Sequence, residues 1–272
     1  HLHKLSAREK EGLKLDNLSF TLGIGKKQLY INPLEVKLPN SVVQIDELSL
    51  TYDSLPQILN TESLRKKVKI KFSLKNAKLY GKDLKNLVPT LKNLDQPFIA
   101  NGKISYYNNN LNLHGFQAKY SDNMNVKLSA QANGIDRIED TYIFANIQQI
   151  NTNVNDLEDL ISDITQKPFV LPQEVRNLGH FKFTGNIVGF LSEIVAYGKL
   201  NTDAGKINTD LKINYNTKTT DWKFKGNIAT EDVNLSKILN KSTDFNDIHL
   251  DVIFDGQKLA KTPLSGHVHG VI

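Results

Sequence analysis

The residues that could do chemistry are few, and none of them forms a complete constellation. His267-Val268-His269 places two imidazoles on one face of an extended strand, a spacing some metal sites use, but no third ligand sits in a companion motif. Asp255 is the nearest carboxylate in sequence, so a solvated strand face is the reading and no metal ligand is assigned. Asp156, Glu158 and Asp159 gather in the first turn of a short helix, where the positive end of the helix dipole favours carboxylates without any acid–base role. Gly23-Ile24-Gly25-Lys26 has neither the third glycine nor the following helix of a phosphate cradle and reads as a hairpin connection. No nucleophile elbow, His-Glu-x-x-His helix or phosphate-binding loop occurs, and the chain has no cysteine. The sequence therefore points to a protein that is not an enzyme, with no catalytic residues and no cofactor.

What remains is a surface, and the elements that would shape it are strands. Leu13–Asp16 and Leu18–Leu22 each alternate apolar with polar but are out of phase, which a bulge or turn at Asn17 reconciles. Further alternating runs cover Glu47–Tyr52, Val68–Leu74, Leu111–Leu113, Val126–Leu128, Phe181–Phe183, Ile207–Tyr215 and Ile248–Phe254. Side chains alternate between faces, so each run supplies one apolar and one polar face. The apolar sets are Val68, Ile70, Phe72 and Leu74; Leu111 and Leu113; Phe181 and Phe183; Leu211, Ile213 and Tyr215; Trp222 and Phe224; and Ile248, Leu250, Val252 and Phe254. Short helices are expected near 55–66, 83–94, 155–165 and 234–240, the last three capped by Asp83, Asn155 and Asn234.

Those last three helices mark an internal repeat. Leu84, Leu157 and Leu235 occupy equivalent places in Asp/Asn-Leu phrases, 73 and 78 residues apart, each preceded by a strand-like run. A fixed period with imperfect identity is the signature of stacked units sharing one core. The chain reads as a single elongated repeat domain over 1–272, with approximate units 1–67, 68–140, 141–215 and a partial 216–272. A few short helices cannot cover this many one-sided strands. The apolar face must then meet a second sheet in a sandwich, or line a trough folded along the length of one sheet. Repetition favours the trough, because each unit adds the same strip to the same wall.

Charge and ends bound the partners. The formal net charge is +5, carried mostly by single lysines at alternate strand positions that suit solvated faces and protected edges. No aromatic-basic signature accompanies them, so nucleic acid is not an expected partner. No run of about 18 apolar residues is present to span a membrane as a helix. The start at His1-Leu2-His3, without Met or signal sequence, reads as a segment of a longer protein whose anchor lies outside it.

One stretch is familiar. Phe181-Lys182-Phe183-Thr184-Gly185-Asn186-Ile187, running on to Gly198-Lys199-Leu200-Asn201-Thr202-Asp203-Ala204-Gly205-Lys206-Ile207, resembles the AsmA/TamB superfamily of bacterial envelope proteins. The phrases resemble the large Bacteroidetes TamB-like members especially. Asp156–Leu160, Leu171–Val175, Val43–Leu50 and Ile248–Val252 carry similar phrases, so the resemblance spans most of the chain. It implies a mainly β fold, an elongated twisted antiparallel sheet of repeats curled into a groove, in a periplasmic segment of an inner-membrane-anchored protein. It implies phospholipid acyl chains as cargo, or outer-membrane protein assembly with a β-barrel partner reached through regions outside this segment. The apolar sets named above would line that groove. The alternative left open is a β-solenoid or sandwich module binding glycan or protein, for which clustered exposed aromatics would be the mark.

Overall fold

The computed structural model describes residues 1–8, 14–84, 96–137, 140–165, 168–216, 218–242, 248–259, 262 and 265–271. The expected helix over 83–94 lies mostly outside these residues. Fifteen strands pair in strict sequence order in one antiparallel sheet that does not close into a barrel. They are β1 Leu2–Arg8, β2 Lys14–Ile24, β3 Gln28–Lys37, β4 Val42–Thr51, β5 Lys69–Leu79, β6 Phe98–Tyr107, β7 Asn110–Tyr120 and β8 Asn125–Asn133. The second half adds β9 Tyr142–Asn153, β10 His180–Phe190, β11 Glu193–Thr202, β12 Gly205–Asn216, β13 Asp221–Glu231, β14 Asp251–Lys258 and β15 Ser265–Val271.

No second sheet covers this one among the described residues, and the solvent ledger agrees. The chain exposes 16430 Å², whereas a compact monomer of its 30.6 kDa would expose about 11,900 Å². The sandwich alternative is thereby set aside.

The strands are bent near their middles. Register slips fall between Phe20 and Leu22, Ile45 and Glu47, Leu74 and Ala77, Asn101 and Lys103, Leu113 and Phe116, and Phe183 and Gly185. Each marks a bulge, which bends the strand carrying it and sharpens its twist. The pairing of Leu5 with Leu18 and Ala7 with Leu15 puts a further bulge at Asp16–Asn17, where the sequence phase breaks. Beyond β10 the slips cease and glycines take over the bend. At Gly226 φ is 151°, and a Cβ there would lie 1.9 Å from the Asp210 carbonyl oxygen, so only glycine lets β12 and β13 approach. The row of bulges and glycines is the fold line of a trough.

Helices recur after every fourth strand: α2 Gly81–Leu84 after β5, α3 Val154–Thr165 after β9, and α5 Leu235–Leu239 after β13. Leu84 and Leu157 are each the fourth residue of their helix and Leu235 the first of its own, so the three phrases recur once per four strands but not at one helical position. Each helix clamps the turn one hairpin earlier on the same edge of the sheet. The Asp83 carboxylate accepts from the Asn40 N–H at 2.8 Å, the Asn40 side chain at 2.9 Å and the Ser41 hydroxyl at 2.7 Å. The Asp156 carboxylate accepts from Ser121, and the Asn234 N–H donates to the Ala204 carbonyl at 2.7 Å. Asn234 caps its helix as expected, accepting the Lys237 N–H. The cap of α3 is Asn153 rather than Asn155, because Asn153 Oδ1 takes the Asp156 N–H at 2.8 Å. Asp83 sits inside α2, its carboxylate turned to the neighbouring turn instead of its own helix. A 3-10 turn Leu55–Ile58, α1 Thr61–Lys66 and α4 Gln173–Arg176 complete the helices; the sequence reading took the last as plain connection.

Candidate functional site: an apolar trough

Directly opposed residues of antiparallel strands share a face, so the register traces each face across the whole sheet. One row runs Leu22, Ile31, Leu48, Phe72, Ile104, Leu113, Ala130, Ala145, Ile187, Ala196, Leu211, Gly226, Phe254, Val268. From β2 to β15 it contains no polar side chain. Parallel rows add Leu50, Ile70, Tyr106 and Leu111 in the first half, and Ile213 and Phe224 in the second. Thr209 and Thr230 are the hydroxyl interruptions on β12 and β13. The opposite face carries Lys, Asp, Asn, Glu and Ser, with cross-strand ion pairs such as Lys225–Asp255 at 3.2 Å.

Fourteen of the seventeen apolar residues singled out from the sequence fall on this one face; Val68, Ile248 and Leu250 do not lie on the strands. Ile70, Phe72 and Leu74 line β5, Leu111 and Leu113 line β7, and Phe181 and Phe183 line β10. Leu211, Ile213 and Tyr215 pair through to Gly226, Phe224 and Trp222, and Val252 and Phe254 continue the surface on β14. Val68 lies just ahead of β5, wholly buried with Leu29 and Tyr52 beneath Ile58 and Leu64. Ile248 and Leu250 lie outside the ladder, since β14 begins at Asp251. The Thr230 hydroxyl intercepts their backbone, donating to the Ile248 carbonyl at 3.0 Å and accepting the Leu250 N–H at 2.9 Å.

Exposure divides the set. Phe183 and Val252 are buried, whereas Phe72, Leu113, Leu211, Ile213 and Phe254 are only half-buried, with no second sheet above them among the described residues. Half-buried aliphatic side chains along a wall that no second sheet covers among the described residues can hold an apolar chain.

Three features escaped the sequence reading. Phe169, from the segment joining α3 to α4, packs its ring edgewise on Tyr215 and Trp222 at 5.8 and 5.6 Å. Burial there raises the Tyr215 phenol above its ordinary pKa. No periodicity links Phe169 to those partners, so nothing in the sequence marked it. Second, Glu158 is buried: its carboxylate accepts the Leu171 N–H at 2.6 Å and faces Arg176 at 3.7 Å. It is a clasp between the legs of that segment, beyond the dipole role expected of it. Third, the outer face bears an apolar patch where β9–β11 end: Tyr142 stacks edgewise on Phe190 at 5.3 Å, beside exposed Phe144 and Val195.

His267 and His269 do share a strand face, both exposed, with His267 opposite Asp255. That aspartate is engaged by Lys225, and no metal-binding group of three ligands exists among the described residues. No family model, curated protein or solved structure matches the chain.

Proposed function

We propose that this chain is a non-enzymatic lipid-handling segment whose trough carries phospholipid acyl chains along the sheet, in the manner of the AsmA/TamB-like envelope proteins its repeat phrases resemble. The observation that supports this above all is the unbroken apolar row from β2 to β15, with no second sheet over it among the described residues. Each methylene moved from water onto that wall gains about 0.8 kcal/mol. The gain has no direction, so a chain can bind and still slide. The periplasm and an outer-membrane partner follow from the same resemblance and belong to the proposal.

Site-specific photo-crosslinking in cells tests it. A benzophenone amino acid replacing Phe72, Leu113 or Leu211 should yield phospholipid adducts by mass spectrometry, and at Lys71 or Lys212 on the outer face it should not. Equal labelling of both faces, or none on the inner one, would defeat the proposal. The aromatic patch of Tyr142, Phe144 and Phe190 favours a second role as a binding module for a protein partner. Protein adducts from that patch alone would make binding the primary function.

A further inference from the structure

The α3–α4 segment does not stay at the edge where it starts. Asn153, the last residue of β9, pairs with His180, the first of β10, and Phe181 pairs with Thr202 beside Gly205; this is the near edge. Tyr215 and Trp222 sit where β12 ends and β13 begins, on the far edge. From Gly205 to Tyr215 the strand covers roughly 33 Å. The chain therefore leaves the near edge at Val154, places Phe169 against Tyr215 and Trp222 on the far edge, and returns to His180. Helix α3, 12 residues and so roughly 18 Å long, gives the outward reach, and its Ser162 hydroxyl accepts the Phe169 N–H at 2.9 Å. The bend of β12 and β13 brings the far edge nearer than the strand's own length. Its Leu157 and Leu160 rest on Phe98, Tyr120 and Met124 near the first edge, and the Glu158 contacts with Leu171 and Arg176 hold the outgoing and returning legs together.

We propose that this strap is a gate which competes with acyl chains for the trough wall, with Phe169 as its latch. The inference rests on the acyl-chain reading of the trough. Phe169 meets Tyr215 and Trp222 on the same face, and in the same way, as a hydrocarbon chain would. A lipid whose chain lies along the wall and whose headgroup projects from the mouth cannot pass while the strap spans both edges. The latch must lift for cargo to cross β10–β13. Its grip is suited to that: two edge-on aromatic contacts on Tyr215 and Trp222, while the hydrogen bond of the Phe169 N–H to the Ser162 hydroxyl stays within the strap.

The chain offers its own probe, because Trp222 is its only tryptophan and lies in the latch. Phosphatidylcholine with brominated acyl chains quenches tryptophan only on contact. A photo-crosslinker at Phe72, away from the strap, reports trough occupancy separately. Phe169→Ala should make Trp222 quenching occur at lipid concentrations roughly fivefold lower than in the unaltered chain, since a site open only part of the time binds weaker by that fraction. The converse variant uses the absence of cysteine: F169C and Y215C joined by a bismaleimide should abolish quenching while crosslinking at Phe72 persists. Unchanged quenching in both variants, with Phe72 still labelled, overturns the gate and spares the trough. No labelling at Phe72 and no quenching in any variant overturns both.

Discussion

The two halves of the sheet reach the same trough by different means. From β1 to β10 the seven bends described above are extra residues, bulges that mostly let ordinary side chains continue through the fold line at the expense of register, with Gly102 and Gly115 at the β6–β7 one. From β10 to β15 the register is unbroken and the bend is made at glycines such as Gly185, which faces Gly198 directly, and Gly226. A bulge spreads the distortion over several residues and tolerates substitution. A glycine concentrates it at one Cα, where φ near 150° and a neighbouring strand's backbone both forbid a side chain. The glycine half is also where the strap lands. Regular register keeps Tyr215 and Trp222 in line, 4.5 Å between ring centres, for a single ring to grip.

The sharpest way to break the comparison is to add a methyl group. Gly226→Ala would drive its Cβ to 1.9 Å from the Asp210 oxygen and 3.0 Å from the Leu211 Cα. Backbone strain and forced separation of the strands together should cost about 4 kcal/mol. Denaturant unfolding should show it as a fall in midpoint. An alanine at Gly115, where an added Cβ meets nothing within 4 Å, should cost about 1 kcal/mol for its φ of +56° alone. Equal losses at the two sites would mean that the glycines are not what bends the second half.

A charge placed on the wall gives the next largest effect and separates covered from open trough. Phe183→Asp and Val252→Asp put a carboxylate where the present side chains are 8% and 4% exposed, with an expected loss of about 3 kcal/mol or more. Phe72→Asp and Leu211→Asp lie on half-exposed stretches, where water reaches the carboxylate, and should leave the chain folded. In cells those two should lose lipid crosslinking at neighbouring wall positions. Unfolding by all four substitutions alike would show the wall to be a closed core.

The sequence made most of this wall legible, since period-two alternation is a local property and the marked residues that lie on strands fell on one face; Val68, Ile248 and Leu250 missed it because the strands begin after them. The repeat was legible for the same reason: the Leu84, Leu157 and Leu235 phrases are local helix starts. What could not be read depends on contacts between distant residues. Asp83 looked like a helix cap because an acidic residue before Leu-x-x-Leu usually is one; only the fold brings it to Asn40 and Ser41. Glu158 looked like a dipole partner until Leu171 and Arg176 arrived beside it. Phe169 stands in no periodic run at all, and its role follows from the length of the strap and the width of the sheet.

The edge clamps should give the smallest effect, and acid should tune it. Burial pushes the Asp83 carboxyl upward in pKa, but the hydrogen bonds from Asn40 and Ser41 outweigh it and hold the group below the ordinary carboxylate value. A depressed folded-state pKa means the clamp contributes fully above the unfolded value near 3.9, and that the contribution fades as pH falls through the folded pKa. Asp83→Ala should cost about 2 kcal/mol at pH 7, because it strands the Ser41 hydroxyl and the Asn40 N–H. Ser41 also accepts the Tyr80 N–H at 2.9 Å, so its ring of partners loosens with the carboxylate. The gap in thermal midpoint between the variant and the parent chain should therefore stay constant from pH 8 to about 5 and narrow below about 4. A gap that stayed constant into strong acid would mean that Asp83 acts by packing and not through its charge. The bulged first half would then be held at its edge by shape alone, as the glycine half is at its fold line.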